Sequence, residues 1–356
     1  MTAFDLELYM HPYWQGDTVY HETVMVIEQA DGSLPLIPLL FSATEILSVR
    51  SSDLQTEYHP GTDYQLSGGK LQILPGSAIP KMSHAQYYPA DETPLSKKRN
   101  DAHGGGFIFF SEGSLMHTLQ IAVTYRHQSS FDGPVPPCQA ALLPKTTDTL
   151  RTGGTLQICL YGDSICVGGN ASGFVEAPPF APTWFDMVCM KLQKQYPGVR
   201  FHFHNPSLGG KTSQWGAEEA TARVGYGPDL CIIGFGMNDG TKRLEPAQYF
   251  KNIQAIMTAA RQNNPDCEFL LIAPTVPNKE VGRFWGYQTE YLPVLQSLQG
   301  SGVAVADMTG FHQYLLTKKR FYDMSGNNVN HPNDFLSRAY AQVIWQTIIG
   351  NGSEER

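Results

Sequence analysis

The chain has 356 residues, which at roughly 150 residues per domain is length for about two domains. Hydrophobic residues make up 42% and charged residues 16%, a balance that fills real cores and excludes wholesale disorder. The net charge is −8 with no Lys/Arg cluster and no basic amphipathic stretch, and no apolar run approaches the ~18 residues that span a bilayer, so neither nucleic acid nor membrane is an expected partner.

The N-terminus, MTAFDLELYMHPYW, lacks the basic and apolar regions of a signal peptide. The six cysteines, at 138, 159, 166, 189, 231 and 267, contain no C-x-x-C pair, and Cys159 and Cys231 lie inside apolar runs. Buried free thiols and a reducing, cytoplasmic setting are expected, although a trimmed secreted chain would read the same.

Residues 1–150 read as a β-rich accessory domain. Short runs rich in Val, Ile, Tyr and Phe predict strands over Phe4–Met10, Val19–Glu28, Pro35–Phe41, Ile46–Arg50, Lys70–Leu74, Phe107–Phe110 and Leu119–Tyr125. Turn signals such as Asp31-Gly32, Pro60-Gly61 and Gly68-Gly69 separate them, the pattern of an antiparallel, jelly-roll-like sandwich. Ser83–Gly106 reads as a long polar loop, and Lys145–Gly154 as part of a connector.

From about residue 151 to 356 the rhythm changes. Strand-like runs at Leu156–Tyr161, Val199–Asn205, Leu230–Gly234, Phe269–Ala273 and Val303–Asp307 alternate with helical patterns, such as Phe250, Ile253, Met257 and Ala260. This alternation predicts an α/β/α layer with a parallel sheet, in which ligands bind at the carboxyl ends of the strands.

Those strand ends carry chemistry. Gly162-Asp163-Ser164 follows the first strand; a serine on a tight strand-to-helix turn exposes its Oγ and can aim its own N–H at an oxyanion. Asn205–Ser213, with Gly209-Gly210, follows the second, and a glycine there lets backbone approach a ligand. Gly236-Met237-Asn238-Asp239-Gly240 follows the third, and the Asn238 amide is a suitable oxyanion donor. His331, in Asn330-His331-Pro332-Asn333, precedes the last helix and can serve as general base. Singly, each is equally a turn, a cap or a surface residue; in this order they supply a nucleophile, a base and three oxyanion donors.

These four blocks resemble the SGNH (GDSL-type) hydrolase superfamily over residues 155–350, with Ser164, Gly210, Asn238 and His331 as the four namesake residues. The resemblance implies a flavodoxin-like catalytic domain. The β-rich half looks like the sandwich that precedes the hydrolase domain in many carbohydrate acetylesterases of the superfamily. The family pattern has an Asp three residues before the histidine, whereas this chain has Asn328. An Asn carbonyl can accept the Nδ1–H bond but carries no charge, so Asn328, one of the carboxylates Asp323 and Asp334, or a backbone carbonyl is the expected orienting group.

The resemblance implies that Ser164 attacks an ester carbonyl with His331 as base, while the Ser164 and Gly210 N–H groups and the Asn238 side chain hold the oxyanion. No metal or organic cofactor is required, and Asp163 shapes the turn. The expected substrate is a small-molecule or oligosaccharide ester, first an O-acetylated carbohydrate, with aryl or small-acyl esters of the same fold as the alternative. Trp215, Trp285 and Tyr322, with Phe284, are candidate substrate-binding aromatics, or equally core caps. The long segment Cys166–Pro182 reads as a wall of the pocket.

Two rival classes remain. A non-catalytic glycan-binding protein has only the missing Asp in its favour. A metalloenzyme rests on His202 and His204, which alternate on one strand but lack a third ligand. Cys166 is an inert thiol in this reading. The β-rich half is open to shaping the pocket, docking glycans or forming a homo-oligomer.

Overall fold

The computed structural model describes residues 4–350. Its C-terminal half is built on five parallel strands: β1 (Gly154–Gly162), β2 (Val199–His204), β3 (Leu230–Gly234), β4 (Glu268–Ala273) and β5 (Val303–Asp307). Their order is β2-β1-β3-β4-β5, the flavodoxin-like doubly wound arrangement. The chain leaves β1 in one direction along the sheet and resumes at β3 on the other side. The crevice between the ends of β1 and β3 is therefore the switch point.

Alternation along β1 feeds both faces. Leu156, Ile158 and Leu160 enter one apolar cluster with helices α1 (Trp184–Gln195), α4 (Met308–Lys318) and α5 (Asp334–Ile348). Cys159 and Tyr161 enter the other, with α2 (Ser213–Val224) and α3 (Pro246–Ala260). Every residue of β4 is buried, as its unbroken apolar run requires of a central parallel strand.

The N-terminal half is β-rich, as expected. A five-stranded mixed sheet has the order Glu57–Tyr58, Ala43–Ser51, Gln120–His127, Thr18–Ile27, Lys81–Met82. The ribbon of Tyr64–Ser67 and Lys70–Ile73 faces it, with Tyr64, Leu71 and Ile73 in one cluster with Val49 and Val123. That cluster continues into the α/β half. Buried polar ties reinforce the junction: Lys319 Nζ bonds Glu22, and the Arg338 guanidinium donates to the Tyr20 carbonyl at 2.6 Å.

Four expected elements differ. Phe4, Leu6, Leu8 and Met10 alternate like a strand, but the Asp5 carboxylate caps the N–H groups of Glu7 and Leu8 and starts the helix Leu6–Tyr9. Pro35–Phe41 forms no strand and contributes only the isolated bridge Ile37–Leu71. The Ser83–Gly106 loop contains the helix His84–Tyr87, opened by a Ser83/Gln86 capping box, and the strand Ser96–Lys98, which pairs with Phe107–Phe109. The connector is a helix, Pro144–Thr152, which spans the expected boundary at residue 150; its free N–H groups on Lys145 and Thr146 donate to the buried Glu268 carboxylate.

Candidate active site

β1 ends at Gly162, and Asp163 turns the chain into the one-turn helix Ser164–Val167 by accepting from the Ile165 N–H at 3.0 Å. Burial raises the Asp163 carboxyl to about 7; the Ile165 N–H opposes the shift and the nearby Asp239 adds to it. Asp163 is thus a structural anchor beneath the serine.

His331 Nε2 lies 2.9 Å from Ser164 Oγ. Its Nδ1 lies 2.6 Å from Asn170 Oδ1. The orientation of the Asn170 amide is dictated by its other partners: Nδ2 donates to the carbonyls of Gly113 at 3.3 Å and Gly326 at 3.2 Å. Carbonyls only accept, so Oδ1 must face the histidine and must receive a proton from Nδ1. That leaves Nε2 as the acceptor for the Ser164 hydroxyl. The His331 ring fits because residue 169 is glycine: a Cβ there would sit 3.3 Å from Nδ1 and 3.0 Å from the Ser164 carbonyl. The turn carrying His331 winds around the buried Asn327, whose Oδ1 accepts from the N–H groups of Val329, Asn330 and His331.

The glycine block runs beside the same serine. Gly209 runs beside Ser164, 3.6 Å from its Cβ at the position a side chain would take, and Gly210 holds φ +74°, a left-handed conformation suited to glycine. Asn238, just beyond β3, donates one Nδ2 hydrogen to the Lys211 carbonyl at 3.0 Å, which leaves the second hydrogen for a ligand. The Ser164 block, the glycine block and His331 therefore meet at the switch point, and Asn238 is tied to the glycine block through the Lys211 carbonyl.

Asn328 is a correction. Its Nδ2 donates to the Phe109 carbonyl at 2.7 Å and its Oδ1 accepts from Asn278 Nδ2 at 3.2 Å, with Tyr87 Oη against the same amide. It is fully buried, holds φ +63°, and clasps the β-rich half instead of the imidazole. The alternative carboxylates are engaged elsewhere: Asp323 accepts from the Met25 N–H and Asp334 from the Ser172 N–H. An Asn328→Asp variant, which sequence logic offers as a way to complete a triad, is expected to lower the melting temperature and leave turnover no higher. It sets a carboxylate against the Phe109 carbonyl, with a cost of about 1–3 kcal/mol or more; thermal unfolding with a parallel esterase assay checks this.

The polar residues beside His331 Nδ1 were missed by sequence reasoning. Asn170 lies in the loop read only as a pocket wall. Glu112 lies in the β-rich half: its Oε2 is 3.6 Å from His331 Nδ1 and its Oε1 accepts from Asn327 Nδ2 at 3.0 Å. Its only sequence signal is a carboxylate outside the expected catalytic domain.

Of the expected substrate aromatics, Trp215 and Tyr322 make packing contacts, and Trp285 is half-buried. Trp215 stacks obliquely on Tyr161, with its ring 6.0 Å away, between Lys211 and Arg223. Tyr322 packs edge-on to the buried Tyr87 at 5.3 Å. Phe284 joins Tyr322 around that cluster, and the Trp285 carbonyl accepts from Arg243. Cys166 is buried, donates to the Gly234 carbonyl, and has its thiol pushed up by burial. His202 and His204 are exposed on edge strand β2, and among the described residues no group of three or more His, Cys, Asp or Glu side chains is placed to hold a metal ion.

No curated protein matches the chain. Among solved structures it is similar to a two-domain esterase (CEX) active on acetylated mannans, 20% identical with a TM-score of 0.47 over 59% of this chain and 53% of that one. It thus spans about half of that protein's length. It is also similar to Axe2, an acetylxylan esterase from Geobacillus stearothermophilus, 18% identical with a TM-score of 0.44 over 55% of this chain and 95% of that one. The model of the GDSL-like lipase/acylhydrolase family matches residues 160–338, which is half of the chain and takes in all four blocks. The chain belongs to the GDSL-like lipase/acylhydrolase family.

Proposed function

We propose that the protein is a serine esterase that removes short acyl groups, acetyl first, from an O-acylated carbohydrate. The observation that carries the esterase reading is the continuous relay Ser164 Oγ, His331 Nε2, His331 Nδ1, Asn170 Oδ1, with its proton positions set by acceptors that cannot donate.

In this mechanism His331 Nε2 takes the Ser164 proton as Oγ attacks the ester carbonyl. Negative charge develops on the carbonyl oxygen, where the Ser164 and Gly210 N–H groups and the free Asn238 hydrogen receive it. His331 then returns the proton to the leaving alkoxide, and the alcohol departs. A water activated by the same nitrogen attacks the acyl-serine, and collapse releases the carboxylic acid and restores Ser164.

The substrate side of the proposal rests on the surroundings. The backbone of Gly209 passes beside the Ser164 side chain with no side chain of its own between them, a setting compatible with a small acyl group. Glu112, Asn327 and Asn330 form a hydrogen-bonded polar group beside His331, which suits an alcohol rich in hydroxyls.

The test is hydrolysis of 4-nitrophenyl acetate, butyrate and octanoate, followed by acetate release from acetylated xylo- and manno-oligosaccharides. The expected kcat/KM falls at least about tenfold from acetate to octanoate, a loss of about 1.4 kcal/mol of transition-state binding. A preference for octanoate sinks the short-acyl reading, and failure to release acetate from either oligosaccharide sinks the carbohydrate reading.

A further inference from the structure

We propose that Glu112, carried by the β-rich half, supplies the negative charge of the catalytic relay, so that the acid of this triad comes from outside the hydrolase fold. In the familiar serine triad one Asp does two jobs: it fixes the histidine tautomer and stabilises the imidazolium. Here the jobs are divided. Asn170 fixes the tautomer with a neutral amide at 2.6 Å, and the Glu112 carboxylate stands behind the same nitrogen at 3.6 Å. As Ser164 gives up its proton, positive charge appears on His331, and the Nδ1–H lies between an amide oxygen and a carboxylate oxygen.

The carboxylate is held in place. Asn327, whose Oδ1 gathers the three N–H groups of the histidine turn, uses its Nδ2 to bind Glu112. The β-rich half also grips Asn170 from two sides, through the Gly113 carbonyl and through His117 Nε2, which donates to the Asn170 carbonyl at 3.0 Å. The Glu112 side chain is half-exposed; its partial burial disfavours the charge, but its contacts with His331, Asn327 and Lys97 outweigh this and hold the carboxyl below its ordinary range. Asp163, on the strand side of the serine, also interacts electrostatically with His331. Glu112 is thus a positioning and charge-balancing residue that acts through His331. The Asn328 position, where the family places its acid, is spent on clasping the two halves together.

The kinetic arm of the test rests on the serine-esterase reading; the spectroscopic arm does not. In the full chain, Glu112→Gln keeps an oxygen for Asn327 and removes only the charge. The expected result is a ten- to hundredfold fall in kcat on 4-nitrophenyl acetate with KM within about twofold. The acid limb of the pH profile is expected to move down by about half to one unit, since one unit corresponds to a tenfold change in proton affinity. Glu112→Asp is expected to recover part of both. In the resting protein, the NMR titration midpoint of the His331 ring is expected to move to lower pH in Glu112→Gln, with Ser164 intact and no substrate present. An unmoved ring titration overturns the proposal whether or not the protein turns over an ester. An unchanged acid limb and kcat in an active enzyme overturn it equally. A protein that hydrolyses no ester but shows the titration shift refutes the esterase reading alone.

Discussion

Ser164→Ala is expected to lower kcat on 4-nitrophenyl acetate by on the order of 10⁵-fold, while the melting temperature stays within a few degrees of the wild type. The size follows from the relay. His331 Nε2 has a hydrogen-bond partner in Ser164 Oγ at 2.9 Å, and no other nucleophile takes that place: Cys166 is buried with its Sγ turned to the Gly234 carbonyl. Removing the nucleophile of a serine hydrolase costs as much as removing the whole relay, because the members act as a unit; the residue left over comes from the oxyanion donors acting on water. Stability should hold because Ser164 is only half-buried and its Oγ bonds no core group. A steady-state assay beside a thermal melt checks both. Retention of more than about 1% of wild-type turnover would mean that another residue attacks the ester.

The second large effect is expected at Asn170, a residue outside the family's four blocks. Asn170 holds φ +64°, so glycine keeps the backbone and deletes the amide alone. Asn170→Gly then frees the His331 ring to flip its proton to Nε2, where it would point at the serine and block proton abstraction. In a serine protease the wrong tautomer costs about 10⁴ in kcat. Here about 10³ is expected, because the Glu112 carboxylate, 3.6 Å away, still attracts a proton to Nδ1. KM should change little, since the amide faces the histidine and two backbone carbonyls. A loss below tenfold in a protein that melts normally would show that Asn170 does not set the tautomer. The double variant with Glu112→Gln should fall to the level of a histidine-less enzyme, more than either single loss, because the two groups share one proton.

The four blocks that carry the family likeness were legible in the sequence because each is a local event at a strand end, and a parallel doubly wound sheet brings those ends together whatever the loops do. The strands Leu230–Gly234 and Val303–Asp307 were read to the residue for a related reason: a buried parallel strand is a short apolar run with punctuation on both sides. The orienting apparatus was not legible. Asn170 and His331 are 161 positions apart, and Glu112 lies in the other half of the chain. Neither residue carries a local pattern, because what defines it is a partner supplied by tertiary packing. Asn328 misled for the converse reason: its spacing to His331 matches the family, but its left-handed backbone turns the side chain to Tyr87 and Phe109. The helix Pro144–Thr152 was hidden in the same way, since the carboxylate that caps it, Glu268, comes more than a hundred residues later.

Phosphorylation by diethyl 4-nitrophenyl phosphate reads the central chemistry most directly. Ser164 Oγ displaces 4-nitrophenolate from phosphorus as His331 takes the proton, and the diethylphosphoryl-serine that remains is resistant to water. Mass spectrometry of the treated wild-type chain is expected to find a single diethylphosphoryl group, on the peptide carrying Ser164, and to find it in neither Ser164→Ala nor His331→Ala over the same time. A label on another residue, or on Ser164 at the same rate without His331, would contradict a serine activated by this relay.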